Sequence, residues 1–211
     1  MKILSGKKII KINNEELQSR ISGFSSIHVD VGTGSGRYAL KNAQRNPHRY
    51  YIGIDPVPSQ MAESLVKARK HKIMNVSFAI SPVEMLPSEL VGIADAVTVI
   101  LPWGSLRDGI AKADPTVLHG LRLLGKPGTP LSVWIGYEEQ REAAEMEQRD
   151  LPHLSEAYLS GLSDEYHHAG ISLSSVSLIS NTELRVLESD WAKRLAYGTP
   201  RRIFRLCAVM M

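Results

Sequence analysis

Three glycines alternate in Asp30-Val31-Gly32-Thr33-Gly34-Ser35-Gly36-Arg37. Glycine permits a tight turn and lets the main chain approach a ligand closely. The spacing is G-x-G-x-G, not the G-x-G-x-x-G that cradles a dinucleotide pyrophosphate. An acid, Asp30, directly precedes the loop, and a carboxylate there suits a cationic or hydrogen-bond-donating ligand better than a pyrophosphate. A second apolar run, Tyr50-Tyr51-Ile52-Gly53-Ile54, ends at Asp55. A carboxylate at that point of an open α/β sheet can accept both hydroxyls of a ribose. Glu84, in Ser81-Pro82-Val83-Glu84-Met85-Leu86-Pro87, follows a third run. It either meets a ligand or complements a helix N-terminus.

Strand, acid, glycine loop, helix, second strand and terminal acid together resemble motifs I and II of the class I methyltransferases. The resemblance implies S-adenosylmethionine, held by Asp30, Gly32, Thr33, Gly34, Gly36, Asp55 and Pro56, with Glu84 at the adenine ring. A fourth run ends in Ile100-Leu101-Pro102-Trp103-Gly104-Ser105-Leu106, which in that fold faces the departing methyl group. This adds Ile100 and Ser105 to the cofactor candidates. The N/D-P-P-Y/F motif of amino methyltransferases is absent here. C5-pyrimidine enzymes need a nucleophilic cysteine, and Cys207 in a predicted last strand reads most simply as a core residue.

No paired carboxylates or His/Asp arrangement marks a general base. That absence has a chemical reading. Adenine offers N1 as an in-plane lone pair, so methylation there removes no proton beforehand. Catalysis then rests on alignment and on stabilising a cationic methyladenine, which an aromatic sandwich supplies. Trp103 is one candidate wall and Trp191 the other, whereas Trp134 alternates within a predicted strand and reads as core. Trp191 opens a basic block with Lys193, Arg194, Arg201, Arg202 and Arg205. Further basic groups are Lys67, Arg69, Lys70, His71, Lys72 and Lys2, Lys7, Lys8, Lys11. Such clusters hold phosphates or simply form solvated faces.

The elements that must position these residues read as follows. Residues 2–4 and 8–12 suggest a hairpin around Gly6, within an N-terminal segment 1–13. Asn14 caps a helix over 15–21. Strands are predicted at 27–31, 50–54, 76–80, 94–101 and 131–135. Helices are predicted at 37–44 and 58–70, and over 106–124 with Pro115 breaking or restarting the last. Beyond Tyr137 come helices at 138–149 and 155–169, the latter closed by Gly170, then strands at 171–179 and 202–209. Alternating strands and helices mean an α/β fold with a mostly parallel sheet. The whole, 1–211, reads as one domain, with 137–165 and 180–200 as inter-strand insertions that shape a substrate site.

Composition is that of a globular protein: 211 residues, 43% hydrophobic, 22% charged and a net charge of +3. No apolar run reaches the roughly 18 residues of a membrane span, so no membrane partner is expected, and the N-terminus does not resemble a secretion signal. The single cysteine excludes a disulfide framework and a cysteine-based zinc cluster, implies no metal, and suits a reducing cytoplasm.

From the hairpin to the last strand the chain resembles the aminoglycoside-resistance 16S rRNA methyltransferases that modify N1 of adenine 1408. The segments that carry the resemblance are D-V-G-T-G-S-G-R, Y-I-G-I-D-P, L-P-W-G-S-L, and W-A-K-R-L-A-Y-G with R-R-I-F-R. The resemblance implies a Rossmann-like fold with seven strands, the last antiparallel, plus the N-terminal hairpin. It implies that Trp103 and Trp191 hold a flipped adenine, that Ser189 shapes the pocket, and that Arg201 grips distorted RNA backbone. Lys193, Arg194, Arg202 and Arg205 would add phosphate contacts, as would Lys67, Arg69 and Lys70. The implied partner is 16S rRNA in the 30S subunit, met by a monomer. Two departures bear on the phosphate contacts: Lys67–Asn75 is shorter than in the family and lacks its glycine pair, and Thr199-Pro200 stands where a basic pair can occur. Alternative readings are a tRNA guanine-N7 methyltransferase, which usually has an acid and a second proline around the tryptophan after the fourth strand, a small-molecule methyltransferase, or a non-catalytic RNA-binding protein.

Overall fold

The computed structural model describes residues 1–6, 8–137, 139–189, 192 and 202–211, with the backbone alone at 139–141. Among them run nine strands: β1 (Lys2–Ser5), β2 (Lys8–Lys11), β3 (Ser26–Val31), β4 (Arg49–Ile54), β5 (Val76–Ala79), β6 (Ala96–Ile100), β7 (Pro130–Ile135), β8 (Ile171–Leu178) and β9 (Phe204–Met210). They form one sheet in the order β2-β1-β5-β4-β3-β6-β7-β9-β8. Strands β5, β4, β3, β6 and β7 are parallel neighbours, and β9 runs antiparallel between β7 and β8. This is the expected seven-stranded mostly parallel sheet with its antiparallel last strand. The hairpin is not a separate appendage. β1 joins the sheet edge antiparallel to β5 through Ile3 and Ala79.

The central strands are buried on both faces, as strands covered by helices on both sides must be: one face is wholly apolar, and the other mixes Tyr51 and Trp134 with the buried polar groups His28, Asp30 and Thr98. Val29, Val31, Ile52, Ile54, Val97, Val99, Leu131 and Val133 are all buried, each stabilising the fold by roughly 1.5–3 kcal/mol. The covering helices are α1 (Asn14–Ile21), α2 (Arg37–Arg45), α3 (Pro58–Lys70), α4 (Gly104–Ala111), α5 (Pro115–Leu123), α6 (Glu139–Gln148), α7 (Glu156–Gly161), α8 (Ser163–His168) and α9 (Asn181–Val186). None described is long and apolar enough to cross a membrane.

Two local expectations change and one is met. Asn13, not Asn14, caps α1, in a capping box with Glu16. Pro115 does restart a helix, held by the Asp114 side chain on the N–H groups of Thr116 and Val117, after Ala113 reverses the chain at φ +54°. The single helix expected over 155–169 is two, α7 and α8, separated at Leu162. Gly161 stands at that break, where it weakens continued helix, and Gly170 closes α8 at φ +82°. Trp134 is buried as expected, and Cys207 is half-buried in β9.

Candidate functional site

The parallel part of the sheet begins at β3, builds outward to β4 and β5, then crosses back to β6 beside β3. Ligands bind at the carboxyl ends of strands where such an order reverses. The loops after β3, β4, β5 and β6 are those carrying the glycines, Asp55, Glu84 and Trp103. They enclose a cavity of about 290 Å³ lined by Gly32, Thr33, Asp55, Pro56, Glu84, Ile100, Trp103, Ser105 and Ser189, among others.

The glycine loop is shaped by its backbone. Gly32, Gly34 and Gly36 have φ of +67°, +54° and +70°, values that L side chains rarely adopt. A Cβ on Gly36 would lie 2.4 Å from the Phe78 ring, and one on Gly32 would lie 2.6 Å from the Leu106 side chain. So α2 and α4 can approach the sheet only over bare backbone.

Asp30 lies under the loop and is 2% exposed. Its carboxylate accepts from the Thr33 hydroxyl at 2.5 Å and the Thr98 hydroxyl at 3.1 Å. Burial pushes its pKa up to about 7 against the pull of these two bonds, and the nearby Asp55 charge adds to the rise. Asp55 accepts from the Gly34 N–H on one oxygen and the Val57 N–H on the other, each at 2.9 Å. Burial raises its pKa and those two bonds oppose the rise. Each Asp55 oxygen keeps acceptor capacity for a ligand hydroxyl. Asp30 is a buried carboxyl whose ionised form gains when a cation or strong donor arrives. The donor set thus fits a nucleoside with a cationic tail.

Glu84 sits in a short 3₁₀ turn, Val83–Met85, half-buried at the cavity wall. It is also the acidic residue of that turn, one position past its start at Val83, so both readings of Glu84 have a place. Across the cavity, Trp103 precedes the first turn of α4 in extended conformation, and its ring is 43% exposed. Leu101 takes φ +50°, unusual for a non-glycine residue, with its N–H on the Trp134 carbonyl at 2.8 Å. Backbone strain of this kind costs of order 1–3 kcal/mol and gathers at functional sites. Ser189 reaches the cavity from beyond α9, where its neighbour Glu188 accepts from Arg45 of α2 at 2.5 Å.

The fold therefore brings Trp103, Ser189 and seven of the cofactor candidates to one cavity, with Asp30, Gly34 and Gly36 behind it. Trp191, Lys193, Arg194 and Arg201 lie outside the described residues. Lys67, Arg69 and Lys70 are exposed at the far end of α3, about 20 Å along its axis from Pro58. Lys67 pairs with Glu63 at 2.6 Å, and Arg69 donates to the Ser5 hydroxyl at 3.3 Å. Arg202 is exposed, 5.5 Å from the Phe204 ring centroid. Arg205 is half-buried in β9, 5.1 Å from the Trp134 ring centroid. Its Nε is buried without a hydrogen-bond partner, so it serves packing as much as solvent.

Sequence reading missed Arg107 of α4. It is 2% exposed and stacks near Trp103. Sequence reading also missed α9, although Ser180 and Glu183 form a capping box before it, a signal visible as S-x-x-E.

Comparison with known proteins gives a consistent answer. Residues 2–210 match a family model described as NpmA: 16S rRNA (adenine(1408)-N(1))-methyltransferase. A 16S rRNA (adenine(1408)-N(1))-methyltransferase of Escherichia coli is 35% identical over 214 residues, covering 98% of this chain and 97% of that protein. The crystal structure of a tryptophan-to-alanine mutant of the corresponding enzyme from Catenulisporales acidiphilia, with cosubstrate SAM, superposes with a TM-score of 0.89. It is 36% identical, with 100% of this chain and 96% of that one covered. The aminoglycoside resistance methyltransferase NpmB1 superposes with a TM-score of 0.86 at 33% identity, covering 100% of this chain and 99% of that one.

Proposed function

This chain belongs to the NpmA family of 16S rRNA (adenine(1408)-N(1))-methyltransferases, and we propose that it methylates N1 of adenine 1408 as a monomer acting on the 30S subunit. The observation that carries the reading is the convergence of the glycine loop, Asp55, Glu84, Trp103 and Ser189 on one cavity.

S-adenosylmethionine, when bound, supplies an electrophilic methyl on a sulfonium. Asp30 would favour its cationic end, Asp55 its ribose hydroxyls, and Glu84 and Ile100 its adenine, with Gly32, Thr33, Pro56 and Ser105 closing around it. The acceptor nitrogen carries a lone pair and needs no base. The protein's task is to hold a flipped adenine in line with the methyl and to stabilise the positive charge that develops on its ring. Trp103, which lines the cavity, would be one wall of that sandwich and Trp191 the other. Flipping costs a few kcal/mol, which stacking on two indoles and phosphate contacts to the basic residues offset. The segments 137–165 and 180–200 shape this acceptor side. Tyr137 near Arg107 and Ser189 in the cavity support that role. Methylation adds a positive charge and a methyl to the face that kanamycin- and apramycin-type drugs contact, so resistance to both follows. The site of action is the cytoplasm, where 30S subunits are found.

Primer extension on 30S subunits treated with enzyme and S-adenosylmethionine tests the proposal. A stop at adenine 1408, weakened with Trp103→Ala and Trp191→Ala, is expected. A stop elsewhere, modification of naked RNA only, or transfer to bulk tRNA would refute it.

A further inference from the structure

Arg107 heads the fully buried large side chains of the described protein. It lies one helical turn beyond Trp103. Its guanidinium carbon is 5.2 Å from the Trp103 ring centroid and 5.8 Å from that of Tyr137. The Nε donates to Asp108 at 3.2 Å, Nη1 to Glu142 at 3.4 Å and Nη2 to Glu145 at 2.9 Å. Arg149 closes the cluster, reaching Asp108 at 2.8 Å and Glu145 at 3.3 Å. Two guanidiniums and three carboxylates thus tie α4, which carries the tryptophan at its start, to α6, which follows the strand end of β7.

A guanidinium out of water persists only where its charge is balanced and its donors are used. Here each of the three guanidinium nitrogens has a carboxylate partner, which fixes its plane. A planar cation fixed over an indole restrains the ring by stacking and cation–π attraction. The three carboxylates neutralise that cation, so the ring need not share its π-electrons between a bare guanidinium and a positively charged base. An apolar residue would pack against the indole without linking it to α6. Lysine would link by charge but without the flat fork.

We propose that Arg107 is a positioning residue for methyl transfer: it fixes the orientation of the Trp103 ring and anchors it, through Glu142 and Glu145, to α6. The inference rests on the reading of Trp103 as a wall of the acceptor pocket. Arg107 touches neither cosubstrate nor base in this account and acts through the indole.

The test is steady-state methyl transfer from labelled S-adenosylmethionine to 30S subunits, with calorimetric affinity for S-adenosylmethionine measured alongside. The variants are Arg107→Met, Arg107→Lys, Trp103→Ala and the W103A/R107M double variant. A misplaced stacking wall should lower kcat of Arg107→Met by roughly 10–100-fold, while the affinity for S-adenosylmethionine stays within about twofold of the wild type. Arg107→Lys should fall between the two. The decisive readout is the double variant: with the indole gone, losing Arg107 should cost nothing further in kcat. An unchanged kcat in Arg107→Met overturns the inference. So does a double variant slower than Trp103→Ala by the whole Arg107→Met factor. If Arg107→Met no longer binds S-adenosylmethionine, Arg107→Lys decides: reduced kcat with intact binding supports the inference, and full kcat overturns it. Unimpaired transfer by Trp103→Ala would instead sink the wall itself, and the role of Arg107 with it.

Discussion

Replacing Asp30 with asparagine should stabilise the ligand-free protein and at the same time weaken its grip on S-adenosylmethionine. The carboxyl is 2% exposed, and burial pushes its pKa up to about 7 from an ordinary 3.8. In that window the folded state binds a proton that the unfolded state releases. Stability from this group is therefore full below pH about 4, falls as pH rises, and is gone above about 7. The rise from 3.8 to about 7, at 1.36 kcal/mol per pH unit, makes the ionised carboxylate a cost of about 4 kcal/mol above neutrality. Asparagine keeps the shape and removes the charge. Its carbonyl can accept from the Thr98 hydroxyl, and its amide can donate to the Thr33 hydroxyl after rotation. Urea melts of wild type and Asp30→Asn at pH 5.5, 7 and 8.5 should show the variant ahead by up to about 4 kcal/mol at pH 8.5. Its advantage should shrink by roughly half at pH 5.5. Calorimetry should show wild-type affinity for S-adenosylmethionine falling about tenfold per pH unit below about 7, with the variant weak and flat. A variant less stable than wild type at pH 8.5, or an advantage that does not vary with pH, would rule out an ionised, desolvated Asp30 as the source of the cost.

His28 should give the opposite slope. Burial, with help from the Arg49 charge, lowers its pKa to about 4, so it contributes stability above pH 6.5 that is lost at about 1.4 kcal/mol per unit toward pH 4. Urea melts should show His28→Phe without this slope, keeping the stack on Tyr51. Gly36→Ala should cost roughly 1–3 kcal/mol, because φ is +70° and the new Cβ meets Phe78 at 2.4 Å; the shift in urea midpoint reads it. Lys70→Ala should weaken 30S binding and reduce the log–log salt slope by about 1. Arg69→Ala should do less, since Arg69 already donates to Ser5.

The donor half of the site was legible because its determinants are local. Three glycines at alternate positions need positive φ, which only a turn of this kind supplies, and Asp30 and Asp55 stand at the ends of apolar runs that cannot be helices of useful length. The helix Pro58–Lys70 was readable to the residue, since proline opens it and a basic turn closes it. The same logic misplaced the α1 cap by one position, because Asn13 and Asn14 offer the same side chain. It also joined α7 to α8, because Leu159 and Tyr166 lie at helical spacing whether or not the helix breaks between them.

The acceptor half depends on contacts that no window of sequence contains. Trp103 was found through its neighbours Pro102 and Gly104, yet its surroundings include two features they do not encode. One is the left-handed backbone of Leu101, held by a bond to Trp134 on the next strand. The other is Arg107, which reads as an ordinary solvent-facing helix residue until α6 folds against α4. Its partners Glu142 and Glu145 lie 35 and 38 positions on. Unpaired, a guanidinium in that place would be expelled to water. Burial of Arg107 is therefore a consequence of where α6 docks, and the surroundings of Trp103 are a property of that long-range docking rather than of the motif in which it lies.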